Sequence, residues 1–196
     1  AQRSSWIAPP ARVQWQQDPI RIPPGKGMLF VPVMTTSRNE PLYQVFYEDR
    51  KIASASPGTP VLLPPGAYQV LIGSGNVTQM IKKTVKIAEG RTSLLDVDWA
   101  GLVVNVIDES RTSVKESYEL FEDRHQENYG VGFGIEEERG EAVKTWLLKP
   151  GAYTVVRVGD NVATTRKFSV HLSPGELAQR NLVVKDNDFV GFYQPS

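Results

Sequence analysis

Two segments of the chain are nearly identical, and each combines a tight turn with the start of a strand. Residues 63–70 read LPPGAYQV, and residues 148–155 read LKPGAYTV. Proline fixes φ near about −65° and glycine adopts backbone conformations that other residues resist, so Pro-Gly marks a turn. The Tyr-x-Val that follows alternates between two faces, as a β-strand does. The chain is therefore predicted to contain two copies of one β-rich unit.

Aligning the chain with itself gives the register of this repeat. At an offset of 85, residues 62–90 align with residues 147–175 without a gap, and 12 of these 29 positions are identical. Upstream the offset is 74, which matches residues 48–50 (EDR) with residues 122–124 (EDR). The change of offset indicates an 11-residue insertion in the second copy, between Arg124 and Leu147.

The repeat divides the chain into four parts. Residues 25–98 form the first copy and residues 99–185 the second, with the insertion in the second. Residues 1–24 are rich in proline and are predicted to be an extended arm, whose tryptophans either pack on the first copy or dock on a partner. Residues 186–196 are left as a tail. Each copy is small for an independent core, so the two are predicted to share an interface sealed by Trp99.

The pattern within each copy indicates an all-β fold. Six short strands follow one another in each copy, separated by Gly/Pro turns, and no segment keeps a helical period of about 3.6 residues. Short strands at spacings of about 8–12 residues are typical of β-sandwiches. The predicted architecture is therefore two tandem antiparallel β-sandwiches of the Ig-like or prealbumin-like type.

Composition excludes several classes of protein and site. Lys+Arg and Asp+Glu both number 22, which argues against a dedicated nucleic-acid binder with its basic face. No apolar run approaches the roughly 18 residues of a transmembrane helix. The absence of cysteine excludes disulfides, thiolate zinc sites and cysteine nucleophiles. The first residues, Ala1-Gln2, suit either a mature exported protein after signal-peptide removal or an excised piece of a longer one.

No catalytic motif is present, and no cofactor or metal is predicted. The chain lacks Gly-x-Ser-x-Gly, a Walker loop and His-Glu-x-x-His. Glu122, Asp123, His125 and Glu127 place oxygen and imidazole groups close together, but Glu-Asp also occurs at residues 48–49, which favours a turn. The chain is therefore predicted not to be an enzyme.

The insertion is the best candidate for a functional site, since extra loops on a repeated scaffold often carry binding. Residues 129–135 read YGVGFGI, in which apolar side chains alternate with glycine as on one face of a strand. Two interpretations remain open: the segment packs on its own sheet or the domain junction, or it forms part of a binding surface. In the second case the candidate binding residues are Tyr129, Phe133, Trp146 and His125.

The turn motifs also resemble a known group of domains. Residues 58–70 (GTPVLLPPGAYQV), followed by Val85-x-Ile87-x-x-Gly90, resemble the PEGA domain and the wider carboxypeptidase-regulatory-like and transthyretin-like β-sandwiches. The second copy keeps residues 148–153 of the turn. The resemblance implies non-catalytic accessory or adhesive modules of bacterial envelope and surface proteins.

The sequence thus predicts a non-enzymatic binding or scaffold module in the periplasm or at the cell surface, engaging a partner protein or a glycan. Two alternatives are a structural spacer that positions a C-terminal membrane or catalytic domain, and an accessory domain of a hydrolase.

Overall fold

The computed structural model describes residues 5–17, 20–158 and 167–195. In these residues it contains a seven-residue helix, two short 3₁₀ helices (Ser37–Asn39 and Glu137–Arg139) and fifteen strands. The helix and strands are α1 (Ala11–Gln17), β1 (Gly27–Phe30), β2 (Tyr43–Tyr47), β3 (Arg50–Ala55), β4 (Val61–Leu63), β5 (Gly66–Ile72), β6 (Ile81–Ile87), β7 (Thr92–Leu94), β8 (Ala100–Ile107), β9 (Ser117–Glu122), β10 (Glu127–Phe133), β11 (Trp146–Leu148), β12 (Gly151–Arg157), β13 (Phe168–Leu172), β14 (Leu177–Lys185) and β15 (Asp188–Tyr193).

The same arrangement of two sheets occurs twice in the chain. Strands β1 to β7 form sheets of order β4-β1-β7 and β3-β2-β5-β6, here called the first sandwich. Strands β8 to β15 form sheets of order β11-β8-β14-β15 and β10-β9-β12-β13, the second sandwich. Each strand of the first sandwich has its counterpart seven strands later, including the parallel pairs β1 with β7 and β8 with β14. The predicted fold class, two tandem β-sandwiches, is confirmed.

The tyrosine of the repeated turn motif makes the same hydrogen bond in both copies. The Tyr68 hydroxyl donates to the Pro64 carbonyl at 2.6 Å, and the Tyr153 hydroxyl donates to the Lys149 carbonyl at 2.7 Å. Both rings are buried, so the bond gives each hydroxyl the partner that a buried polar group needs. In both copies the side chain thus ties the strand back to the turn that precedes it.

One sheet of the second sandwich is covered on both faces. Leu102 on β8 belongs to the core of the second sandwich, whereas its neighbour Val103 belongs to the core of the first. The same division separates Leu148 from Leu147 on β11. Successive residues of a strand point to opposite faces, so this sheet lies between the two cores. Burial on both faces explains why residues 101–104 read as a continuous apolar run.

Three strands were not predicted as such. Pattern reasoning missed β3 because its sequence, RKIASA, is poor in strongly β-prone residues, and its partner β2 holds it in place. It treated the region of β10 as an insertion, although β10 holds the same place in its sheet as β3. The tail contains β15, which pairs with β14 and buries Phe189.

The N-terminal arm is not wholly extended, and it fastens the two sandwiches together. Ala11–Gln17 form the helix α1, which begins after Pro10 and is too short to show a helical period. The Trp6 indole donates to the Gly175 carbonyl at 2.8 Å, while the Ile7 amide donates to the Met34 carbonyl at 3.0 Å. Adjacent residues of the arm therefore bind one sandwich each, and Trp6 packs against the first core.

Candidate functional site

A groove of about 1130 Å³ lies between the two sandwiches, on the side where β10 and β11 form the edges of their sheets. We call it the interdomain groove. The first sandwich contributes residues 37–42 and 73–75, and the second contributes residues 131–135 and 140–146. The groove is therefore bounded by the loops of one sandwich and the open side of the other.

Loops of the first sandwich occupy the free edge of β11. The Ser74 amide donates to the Leu147 carbonyl at 2.8 Å, and the Leu147 amide donates to the Ser74 hydroxyl at 3.0 Å. The Thr145 amide donates to the Asn39 carbonyl at 2.8 Å. These bonds cross the junction in both directions, so they fix the separation of the walls of the groove.

The structure brings two of the predicted site residues together. Phe133 and Trp146 both line the interdomain groove. The Phe133 side chain is 61% exposed, and that of Trp146 is half-buried. The Trp146 indole donates to the Tyr118 hydroxyl at 2.8 Å, which fixes the plane of the indole. The groove thus presents one exposed aromatic side chain and one that a hydrogen bond holds in place.

Tyr129 lies elsewhere, because a β-bulge interrupts β10. The register of β10 against β9 shifts between Asn128 and Gly130, which leaves Tyr129 as the extra residue. Its side chain is only 7% exposed and meets the Tyr153 ring edge-on at 5.5 Å. The expectation that Tyr129 shares a face with Phe133 is therefore wrong, and Tyr129 belongs to the core of the second sandwich.

The glycines that alternate with the apolar residues leave room for neighbouring groups. A Cβ at Gly132 would lie 2.1 Å from the ring of Tyr118, and one at Gly134 would lie 1.8 Å from the Val114 carbonyl oxygen. Both distances are far below any van der Waals contact. Glycine is therefore needed at both positions, because Tyr118 and Val114 occupy the space that a side chain would fill.

His125 lies at the opposite end of the β9–β10 hairpin from Phe133 and forms part of a turn. Glu122 accepts hydrogen bonds from the amides of Arg124 and His125 at 2.8 and 2.9 Å, and its Oε2 lies 3.0 Å from the ring Nδ1 of His125. Burial raises the pKa of Glu122, but these hydrogen bonds outweigh it and hold the pKa below its ordinary value. The carboxylate thus caps the turn.

Sequence reasoning missed Glu40, a buried carboxylate in the wall of the interdomain groove. The side chain is 5% exposed, and its Oε2 accepts from the amides of Met34 and Thr35 at 2.8 and 2.7 Å and from the Thr35 hydroxyl at 2.7 Å. The other oxygen, Oε1, is buried and has no hydrogen-bond partner in the described residues. The Thr35 hydroxyl also lies 2.9 Å from that of Thr145, so Glu40 is linked to the junction.

Burial raises the pKa of Glu40, only partly offset by the hydrogen bonds from Thr35 and Met34. A carboxyl whose pKa is higher in the folded than in the unfolded chain stabilises the fold below the unfolded pKa and loses that contribution as pH rises through the folded pKa. We therefore expect Glu40→Gln to gain stability relative to the wild type as pH rises from about 4 to 7. Urea unfolding of both proteins across this range measures the difference, and a constant difference would contradict the assignment.

Within the described residues, no three His, Asp or Glu side chains converge in a way that could hold a metal ion. None of the described helices is both long and apolar enough to cross a membrane.

Comparison with solved structures finds proteins of low sequence identity. The Bacillus anthracis TIE protein matches over 82% of this chain and 34% of its own, with 16% identity and a TM-score of 0.33. A Streptococcal ancillary pilin matches over 88% of this chain and 65% of its own, with 13% identity and a TM-score of 0.32. The minor pilin of Streptococcus agalactiae matches over 87% of this chain and 99% of its own, with 11% identity and a TM-score of 0.32.

The chain thus spans less than two thirds of the length of the first two of these proteins. No family model and no curated protein matches it.

Proposed function

We propose that this chain is a non-enzymatic binding module of the bacterial cell envelope, built from two PEGA-like sandwiches, and that it holds a partner in the interdomain groove. The observation that carries the proposal is the exposure of Phe133 in a groove of about 1130 Å³ that Trp146 also lines. Aromatic side chains in a concave site are the groups that most often dominate binding energy.

The way the groove is built supports this role. Its two sides come from different sandwiches, yet Ser74 and Leu147 exchange hydrogen bonds across the junction and the arm binds both sandwiches. The walls are therefore held in place before any partner binds. Preorganisation of this kind lowers the entropic cost of association.

Replacing Phe133 tests the proposal, because the side chain can be removed without opening a core. We expect Phe133→Ala to weaken co-sedimentation of the purified chain with cell envelopes of the source bacterium by about 30-fold, as for a hot-spot aromatic. Treating the envelopes with protease beforehand distinguishes a protein partner, whose binding is lost, from a glycan, whose binding is kept.

Tyr193→Ala is the matched control, since Tyr193 is an aromatic residue that is 41% exposed and lies outside the groove. It should bind envelopes as the wild type does. Unchanged binding by Phe133→Ala would remove the groove as the binding site.

The junction also favours a second candidate function, that of a structural spacer. Two sandwiches that share a buried sheet and are fastened by the arm form a stiff unit. A spacer needs this stiffness but not the exposed aromatic residue. Failure of the purified wild-type chain to bind envelopes, with both sandwiches folded, would favour the spacer.

A further inference from the structure

We infer that the interdomain groove receives an extended segment of a partner protein, which adds as a strand to the edge of β10 and alternates apolar with acidic side chains. This inference rests on the proposed function and specifies the partner. Strand addition to an open sheet edge is a general mode of peptide recognition, in which backbone hydrogen bonds supply affinity.

The backbone of β10 is suited to accept such a strand. The Gly134 amide donates to the Glu116 carbonyl at 2.8 Å, which makes Gly134 a hydrogen-bonded partner of β9. Hydrogen-bonded and non-hydrogen-bonded pairs alternate in an antiparallel ladder. Val131 and Phe133, which pair with Glu119 and Ser117, therefore direct their amide and carbonyl groups away from β9. Within the described residues, β10 pairs with no other strand.

Three other edge strands of the molecule, β3, β6 and β11, are protected from pairing. Strand β3, the counterpart of β10, begins with Arg50-Lys51, and the edge strand β6 carries Lys82, Lys83 and Lys86. Charged residues on an edge prevent pairing with other chains. The adjacent edge strand β11 is hydrogen-bonded to Ser74. Residues 128–135, by contrast, contain no charge, and Val131 and Phe133 are 41% and 61% exposed.

The charges of the groove indicate the chemistry of the segment. Of its two carboxylates, Glu40 is buried and Glu141 pairs with Lys115 at 3.1 Å. Arg38 and Lys144 remain as exposed cations, and the Lys144 ammonium donates to the Arg38 carbonyl at 3.2 Å. The accessible charge is thus positive, which favours acidic side chains in the occupant. Apolar side chains of the added strand would continue the row of Val131 and Phe133.

The test uses a fluorescein-labelled ten-residue peptide that alternates valine with aspartate, titrated with the full chain and followed by fluorescence anisotropy. We expect it to bind at least about tenfold more tightly than a peptide that alternates valine with lysine. N-methylation of every second amide should also weaken binding at least about tenfold, because it removes the donors that a ladder needs.

Val131→Pro removes one outward amide of β10 without breaking a bond to β9, so it should weaken peptide binding about tenfold, whereas Val131→Ala keeps the amide and should bind more nearly as the wild type does. Circular dichroism and thermal unfolding of both variants confirm that they are folded. If Val131→Pro does not fold, the N-methylated peptide alone decides the question.

Equal binding of the N-methylated and unmodified peptides, or no binding of any peptide, would overturn strand addition. Dimerisation that Val131→Pro abolishes would also overturn it, because the edge of β10 would then be occupied by a second copy. If the peptide results fail while Phe133→Ala still reduces envelope binding, the proposed function stands and only the identity of the partner is wrong.

Discussion

Trp99→Ala should cost about 3–5 kcal/mol of unfolding free energy, the range for truncation of a buried large aromatic residue. Trp99 is fully buried, and it belongs to the core of the first sandwich although it directly precedes β8 of the second. Its carbonyl also accepts from the Gly175 amide at 2.8 Å. Loss of the indole would therefore open a cavity at the junction itself. Urea unfolding measures the loss, and thermal unfolding should show a fall in Tm of roughly 10 °C.

Two variants separate this effect from a general sensitivity to tryptophan loss. The Trp99 indole N–H is buried and has no partner in the described residues, so Trp99→Phe removes an unsatisfied donor and should cost much less than Trp99→Ala. Trp15 is half-buried and belongs to neither core, so Trp15→Ala should also cost much less. Equal losses for Trp99→Ala and Trp15→Ala would show that Trp99 does not seal the junction.

Local patterns were sufficient to predict the repeat and the fold class. The Pro-Gly-Ala-Tyr turn is a local structure, because the tyrosine hydroxyl binds a carbonyl only four residues earlier. A turn of this kind depends only on residues that are close in the sequence, so it can be recognised from the sequence in each copy. The continuous apolar run of β8 could likewise be read as a strand buried on both faces.

The candidate site could be predicted only in part, because its geometry depends on contacts between distant residues. Alternation placed Tyr129 beside Phe133, but the bulge at Tyr129 depends on how β10 pairs with β9. Glu40 was missed because its burial results from packing at the junction, near Thr145 of the other sandwich. A single carboxylate outside any recognised motif carries no signal in the sequence.

The structure shows where the 11 additional residues of the second copy lie. Strands β3 and β10 occupy equivalent places, so the hairpin itself is common to both copies, and most of the added length lies in the loop of residues 134–145 between β10 and β11. Residues 140–145 of this loop line the groove. The insertion therefore extends the wall of the interdomain groove. The exposed apolar residues Val131 and Phe133 lie on β10, which precedes the insertion.

Gly134 stands where that strand ends and the loop begins, and Gly134→Ala should destabilise the chain by about 2–3 kcal/mol. The new Cβ would lie 1.8 Å from the Val114 carbonyl oxygen. Val114 cannot easily retreat, because its amide donates to the Val106 carbonyl at 3.1 Å and holds it against β8. The strain should therefore displace β10 together with Phe133, and it should lengthen the hydrogen bond from the Gly134 amide to the Glu116 carbonyl. Urea unfolding measures the loss of stability, and envelope co-sedimentation measures the loss of binding.

Gly191→Ala is the matched control, because Gly191 also lies in a strand of the second sandwich but its Cβ would meet Val183 at an ordinary 3.5 Å. It should change stability by no more than about 0.5 kcal/mol. If Gly134→Ala is as stable as Gly191→Ala, the close approach of β10 to Val114 is contradicted. This packing then does not position Phe133 at the groove either. A loss of binding with Gly134→Ala that exceeds its loss of stability would instead show that the position of β10 itself governs recognition.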